Sequence, residues 1–241
     1  MRYMNHRLLL TSLSALIAFT AAAPADAAPY AERLRWKVEP GAGPVRVAVK
    51  RTTLAPASEK PAPATRFEFS LPVGFRAHPR VVPNCSQRTL ERAPDRCRRA
   101  RIATGSALID ARPAVPQPFR ARVDTYKTGR PRGTVAALVT RIALPTGPVF
   151  TPAVIRKAQG RAARRSSLVF VEDLPAASSE GPVARSFSLV FPRRVGRVGG
   201  RRRGLLEATR RCPRKRLTFG LETTFADGSR ARASDRVRCR R

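Results

Sequence analysis

The sequence predicts an all-β protein, an antiparallel β-sandwich of about ten short strands stapled by disulfides. Three observations favour this fold class. Apolar residues recur at every second position in short runs, which is the periodicity of strands with one buried face. Turns rich in proline and glycine separate these runs, at intervals of roughly 10–20 residues. The chain has four cysteines, an even number that suits a disulfide framework in an exported protein.

The first 28 residues have the features of a signal peptide. Arg2 and Arg7 give a positive start, residues 8–23 are apolar, and residues 25–27 supply a small-x-small cleavage pattern. The apolar run is about 16 residues, shorter than the roughly 20 needed to span a bilayer. We therefore expect cleavage, with a retained membrane anchor as the alternative. No later stretch predicts a transmembrane segment, so the expected location is secreted or associated with the cell envelope.

The segment from 29 to 64 predicts N-terminal strands followed by a proline-rich linker. Alternation at residues 34–38 and again at 45–49 indicates two strands. Residues 55–64 contain too much proline for a helix or a central strand. The remaining residues, 65–241, are predicted to form the disulfide-stapled β-sandwich domain.

The cysteines predict where the staples lie. Four cysteines allow three pairings, and sequential pairing, Cys85 with Cys97 and Cys212 with Cys239, closes the shortest loops. Zinc is the alternative ligand, but the chain has no C-x-x-C pair. His78 is also the one histidine beyond the signal segment. A metal site is therefore not expected.

Strands are predicted on both sides of the first cysteine pair and onward to the C-terminus. The clearest half-buried strand is 119–125, and the longer apolar run at 134–144 suits a strand buried on both faces. A faint similarity between residues 67–72 and 187–192 makes two packed sub-sandwiches the alternative to one. Further strands are predicted at 66–71, at 102–109 with Gly105 as a bulge, and at 149–155, 167–174 and 186–191.

The C-terminal segment carries the strongest hairpin signal. Apolar residues alternate through 217–225, and a two-residue turn is predicted at Asp227 and Gly228. That turn would place Cys239 opposite Arg216, so a bridge to Cys212 requires the chain to bend back.

The chain is strongly basic, with 48 Lys and Arg against 16 Asp and Glu and a formal net charge of +32. Such a surface attracts anions. The alternative is compositional, because a GC-rich genome raises Arg, Ala, Pro and Gly together. Residues 192–204 predict a flexible basic loop and the best functional surface. The predicted anion-binding residues are Arg193, Arg194, Arg197, Arg201, Arg202 and Arg203.

Catalytic and cofactor motifs are not found. Ser106 lies in T-G-S-A-L, which is not the G-x-S-x-G elbow. His78 is expected to be an exposed loop residue. Glu172 and Asp173 would point to opposite faces of a strand and form a solvated strand end. The glycines of 196–204 lack the G-K-[S/T] of a phosphate-binding loop. We therefore expect a protein that is not an enzyme and has no cofactor.

Several patterns also suggest a family resemblance. They are F-x-F-x-L-P, a Pro-x-Cys loop, R-I-x-x-G-x-A, and a closing C-P…F…F-A-D-G-S…C. Over residues 66–241 the chain resembles secreted β-rich proteins of GC-rich Gram-positive bacteria. The resemblance implies a secreted β-rich domain and brings no activity, ligand or catalytic residue with it.

The expected function is that of a secreted structural or interaction domain associated with anionic cell-envelope polymers. The alternative is a dedicated polyanion-binding protein for nucleic acid or anionic polysaccharide. Clustered arginines suffice for phosphate contacts, but aromatic residues are not interleaved with the arginines of 193–216 as single-strand binders require. The sequence indicates no specific protein partner.

Overall fold

A computed structural model describes residues 30–39, 43–56, 58–175, 181–208 and 216–238. The predicted signal peptide, residues 1–28, lies outside these ranges. Of the described residues, 61% are in strands and 11% in helices, and one large antiparallel sheet nearly closes into a barrel-like sandwich. The predicted all-β class is confirmed.

Sixteen strands are described, together with one short α-helix and three 3-10 turns. The strands are β1 (Ala31–Val38), β2 (Gly43–Pro44), β3 (Val47–Leu54), β4 (Ala64–Pro72), β5 (Phe75–Ala77), β6 (Arg101–Asp110), β7 (Phe119–Gly129), β8 (Ala136–Leu144), β9 (Gly147–Lys157), β10 (Ser166–Asp173), β11 (Val183–Phe191), β12 (Val195–Val198), β13 (Arg201–Gly204), β14 (Leu206–Ala208), β15 (Arg216–Phe225) and β16 (Arg230–Arg238). The helix is α1 (Gln87–Arg92), and the 3-10 turns are Pro79–Val81, Pro94–Ala100 and Gly160–Arg164.

Eleven strands form the main sheet, in the order β1-β3-β11-β6-β7-β8-β9-β10-β4-β15-β16. Its two edge strands meet, because the Trp36 amide on β1 donates to Asp235 Oδ2 on β16 at 2.6 Å. The described strands therefore build one sandwich rather than two packed halves. Strands β1 and β3 precede the predicted boundary after residue 64, yet they belong to this sheet. The sheet therefore contains residues from both sides of that boundary.

The inward side of the sheet follows the alternation in the sequence. Phe67, Phe69 and Leu71 on β4 are all buried, while the residues between them are half-buried. Each such side chain contributes about 1.5–3 kcal/mol through apolar burial. Where the sheet closes, Trp36 on β1 stacks on Phe219 on β15 with ring centroids 4.3 Å apart. The core is thus built from aromatic residues contributed by strands far apart in the chain.

The two ends of the sandwich differ. At one end, which we call the closed end, β11 finishes at Phe191 and the small sheet of β2, β14 and β5 lies across the core. At the other, the open end, β11 begins at Val183, next to Asp110 where β6 finishes. The longest connections at the open end are residues 55–63 and 111–118.

The loop between β5 and β6 is stapled as predicted by Cys85 and Cys97. Within it α1 begins after Ser86, whose hydroxyl accepts a hydrogen bond from the Thr89 amide at 3.1 Å. Leu90 is buried with both cysteines in a second apolar cluster, against the outer side of β7 and β8. Cys212 and Cys239 lie outside the described residues.

Two local predictions were wrong. The Phe225 amide donates to the Ser229 carbonyl oxygen at 2.9 Å across the C-terminal hairpin, so the turn has three residues and ends at Gly228, which has φ +83°. Gly105 is not at a bulge, since it pairs regularly with Leu189. A Cβ at Gly105 would lie 1.7 Å from the Ser188 carbonyl oxygen, so close approach of two backbones requires glycine there.

Candidate functional site

Residues 192–204 contain a β-hairpin. The prediction of a flexible loop in this segment was therefore wrong. Strands β12 and β13 pair from Val195 opposite Gly204 to Val198 opposite Arg201. Gly199 and Gly200 make the two-residue turn with φ of +56° and +75°. Positive φ at both positions is the type I′ geometry, for which Gly-Gly is a favoured sequence. The glycines that suggested flexibility therefore close an ordered turn.

The hairpin presents unpaired arginines to solvent. Arg197 lies directly opposite Arg202 across the two strands, and both are exposed. Arg193 and Arg201 are exposed as well. None of these four side chains makes an ion pair or hydrogen bond with another described residue. Like charges directly opposite each other destabilise a strand pair, so an anion placed between them would relieve the repulsion.

The other two predicted arginines tie the hairpin to the closed end. Arg194 Nη1 donates to the Arg99 carbonyl oxygen at 3.0 Å. Arg203 Nη1 lies 3.6 Å from Glu207 Oε2. These side chains have protein partners already, so they hold the hairpin in place beside the four unpaired ones.

His78 belongs to the same support and is not the exposed loop residue that was predicted. Its ring is mostly buried, and Nε2 lies 3.1 Å from Glu207 Oε2. The other oxygen, Glu207 Oε1, accepts a hydrogen bond from the Gly204 amide at 2.8 Å. Glu207 therefore joins the base of the hairpin to the segment between β5 and the first 3-10 turn.

Further basic residues lie beside the hairpin. Exposed Arg80, Arg98 and Arg99 come from the two 3-10 turns at the closed end. We call these three, with the six predicted arginines, the basic surface. Buried Lys127 lies close by, and its Nζ donates to the Val82 carbonyl oxygen at 2.8 Å. Burial lowers the pKa of Lys127, and the positive charge of Arg80 lowers it further.

A second feature is a cavity of about 250 Å³ inside the open end. Glu172 and Asp173 point to opposite faces of β10 as predicted, but Glu172 is not solvated. It is 6% exposed and lines this cavity, whereas Asp173 is exposed outside and pairs with Arg66 at 3.1 Å. The missed signal was the alternation of Leu168, Phe170 and Glu172, which places the carboxyl on the core-facing side.

Polar groups near Glu172 are few. The Thr151 hydroxyl donates to Glu172 Oε1 at 2.5 Å. Burial raises the pKa of Glu172, and the Thr151 and Thr140 hydroxyls offset only part of that effect. Arg51 also lines the cavity but is already bound, since its Nε donates to Glu32 Oε2 at 2.8 Å and its Nη1 to the Ala184 carbonyl oxygen at 2.8 Å.

Nowhere in the described ranges do three or more His, Cys, Asp or Glu side chains stand together as a metal site would require. None of the helices found there has the length and apolar character to cross a membrane. No protein-family model, no curated protein and no solved structure matches the chain.

Proposed function

We propose that this chain is an exported, non-enzymatic binding protein whose basic surface associates with anionic polymers of the cell envelope. The observation that carries the proposal is the cross-strand pair Arg197 and Arg202, which face each other without a carboxylate between them. Exposed Arg193, just before β12, and Arg201, on the opposite face of the hairpin, add further unpaired positive charge. A polymer with regularly spaced phosphates or carboxylates supplies the missing counter-charge.

The rigid hairpin strengthens the case for a binding surface. Four arginines on a flexible loop would lose conformational freedom on contact, whereas a hairpin holds their backbone positions before the ligand arrives. Arg194 and Arg203 contribute to that rigidity through Arg99 and Glu207. The net charge of +32 adds long-range attraction, which speeds encounter with any polyanion.

An envelope polymer fits this surface better than single-stranded nucleic acid does. Binding of single strands depends on exposed aromatic rings on which bases stack. Among the described residues, the exposed large apolar side chains are all aliphatic: Leu54, Val73, Val115 and Val195. The proposal therefore rests on charge contacts, and a dedicated role in nucleic-acid binding becomes an outcome of the test.

The test is retention on immobilised anionic wall polymer and on heparin across a salt series. A triple variant changes Arg197, Arg201 and Arg202 to Ser and leaves the supporting arginines in place. We expect the variant to elute at lower salt. The slope of log affinity against log salt should fall by about one unit for each arginine that contacts an anion.

A matched control separates a localised surface from net charge alone. Changing Arg33, Arg35 and Arg120 to Ser also removes three positive charges. These arginines are exposed, and their side chains likewise lack described partners. Equal losses in the two triple variants would contradict a localised surface. Tighter binding to duplex or single-stranded DNA than to wall polymer at equal salt would favour the nucleic-acid alternative.

A further inference from the structure

We propose that the cavity at the open end is a binding site for a small apolar molecule carrying one protonated amine, with Glu172 as its counter-ion. The site lies at the end of the sandwich opposite the basic surface. The inference is independent of the proposed function, because it depends on the interior of the sheet and not on its exterior charge.

The cavity has the form of a ligand site. Strands from most of the main sheet contribute to it, and its walls are mainly aliphatic, with Ile109, Val123, Ile142 and Val149 among the lining residues. Phe67 and Phe187 form the aromatic part of the wall. Mouths of barrel-like sheets are a common location for ligand sites. A cavity of 150 Å³ holds benzene, so one of about 250 Å³ has room for roughly ten non-hydrogen atoms.

Glu172 supplies the polar contact. Its carboxyl faces an apolar space and forms no ion pair with any described Lys, Arg or His. Burying a carboxyl without a cation is costly unless a partner reaches it. Arg51, the cation that shares the cavity wall, is engaged by Glu32 and by the Ala184 carbonyl oxygen. A ligand cation would therefore meet a carboxyl that the protein leaves without a counter-charge.

The same arrangement disfavours other head groups. A fatty carboxylate would face Glu172 and would have to displace Glu32 from Arg51. A neutral alcohol would gain one hydrogen bond but no charge pairing. The protein exterior repels cations because of the net charge of +32. A measured preference for an amine would thus have to originate in the interior, where Glu172 lies.

The experiment is titration calorimetry of the purified full chain with three probes of equal chain length: n-octylamine, 1-octanol and octanoate. The salt is set at about 0.3 M, where exposed charges are screened beyond roughly 6 Å. We expect n-octylamine to bind at least tenfold more tightly than 1-octanol, and octanoate to bind most weakly. In a pH series, octylamine binding should also release protons at the acidic end, because burial raises the pKa of Glu172 and only its ionised form pairs with an ammonium.

Glu172→Gln should abolish the amine preference and the proton release while leaving 1-octanol binding unchanged. Asp173→Asn removes a carboxyl from the outer face of the same strand and should keep the order of the three affinities, with the amine tightest. Ala107→Phe, which places a large side chain in the cavity wall, should weaken all three probes. Thermal unfolding of each variant confirms that it is folded.

Three results would overturn the proposal. They are equal affinity for the amine and the alcohol, an amine preference that survives Glu172→Gln, and the absence of binding by every probe. None of them bears on the basic surface, whose test uses different variants and a polymer ligand. Failure of one proposal is therefore distinguishable from failure of the other.

Discussion

The closed and open ends of the sandwich belong to one sheet, but their interiors are packed differently. At the closed end Trp36 stacks on Phe219 with centroids 4.3 Å apart, Phe75 packs edge-on against Phe219 at 5.5 Å, and the rings fill the space. At the open end the strands contribute smaller side chains such as Ala107 and Thr140, and a cavity remains. The comparison shows that alternation alone decides which residues point inward, while their size decides whether the interior is filled.

The connections at the two ends are also held differently. A disulfide between Cys85 and Cys97 ties the stapled loop at the closed end. At the open end the fully buried carboxylate of Asp110 binds Arg112 Nη2 at 2.7 Å and Arg185 Nε at 2.8 Å. Hydrogen bonds from Arg112 and then Arg185 hold the pKa of Asp110 well below its usual range, although burial opposes them.

The largest expected effect is a loss of unfolding free energy when one phenylalanine at each end is truncated to alanine. Phe219→Ala should reduce the free energy of unfolding by about 4 kcal/mol, because it empties a filled site between two other rings. Phe187→Ala should cost about 1–2 kcal/mol less, since this side chain already borders the cavity and loses fewer contacts. Urea unfolding measures both, and equal losses would argue against a hollow open end.

The disulfide gives the next largest effect. Replacing Cys85 and Cys97 together by Ala should lower the unfolding free energy by about 3 kcal/mol, because the unfolded chain regains the freedom of a short closed loop. Substitution is preferable to reduction, since it leaves the other two cysteines untouched. Spectra should show a folded main sheet, because α1 and its cluster pack on the outer side of β7 and β8.

Asp110→Asn tests the ion pairs that Asp110 forms with Arg112 and Arg185 at the open end. It should lower the unfolding free energy at neutral pH by about 2 kcal/mol, because Arg112 and Arg185 lose their shared carboxylate. The low pKa of Asp110 means that this stabilisation is present above the unfolded value, about 3.9, and disappears as the pH falls through the folded value. The difference between wild type and variant should therefore narrow in acid, as denaturant titrations at several pH values would show.

The smallest effect concerns Glu172. Because its pKa is raised in the folded state, its carboxyl is protonated in both states below about pH 4.3 and penalises folding only as the pH rises. Asp173 adds to the rise, and Thr140 and Thr151 oppose it, while Arg51 on the same wall stays with Glu32. Glu172→Gln should therefore stabilise the protein by about 1 kcal/mol at pH 8 and by little at pH 4. A stability difference that does not change with pH would contradict the burial of an ionisable carboxyl.

Local patterns predicted much of this architecture. The short strands and the loop closed by Cys85 and Cys97 follow from residues close together in the chain. The basic hairpin was missed as a hairpin because its glycines were interpreted as flexibility and not as a type I′ turn. Glu172 was missed because a carboxyl at a strand end is usually solvated, and only the surrounding strands show that it is enclosed.

The sequence by itself determined the strand periodicity, the inward-facing residues, the first disulfide and the strongly positive charge, since each depends on neighbours within a few positions. The tertiary structure decided which strands and side chains are neighbours in space. It brought β1 and β16 together to close the sheet, set Arg197 against Arg202, and enclosed Glu172 in an apolar cavity. These outcomes depend on register and closure among strands distant in the chain, where a shift of one residue exchanges the inner and outer faces.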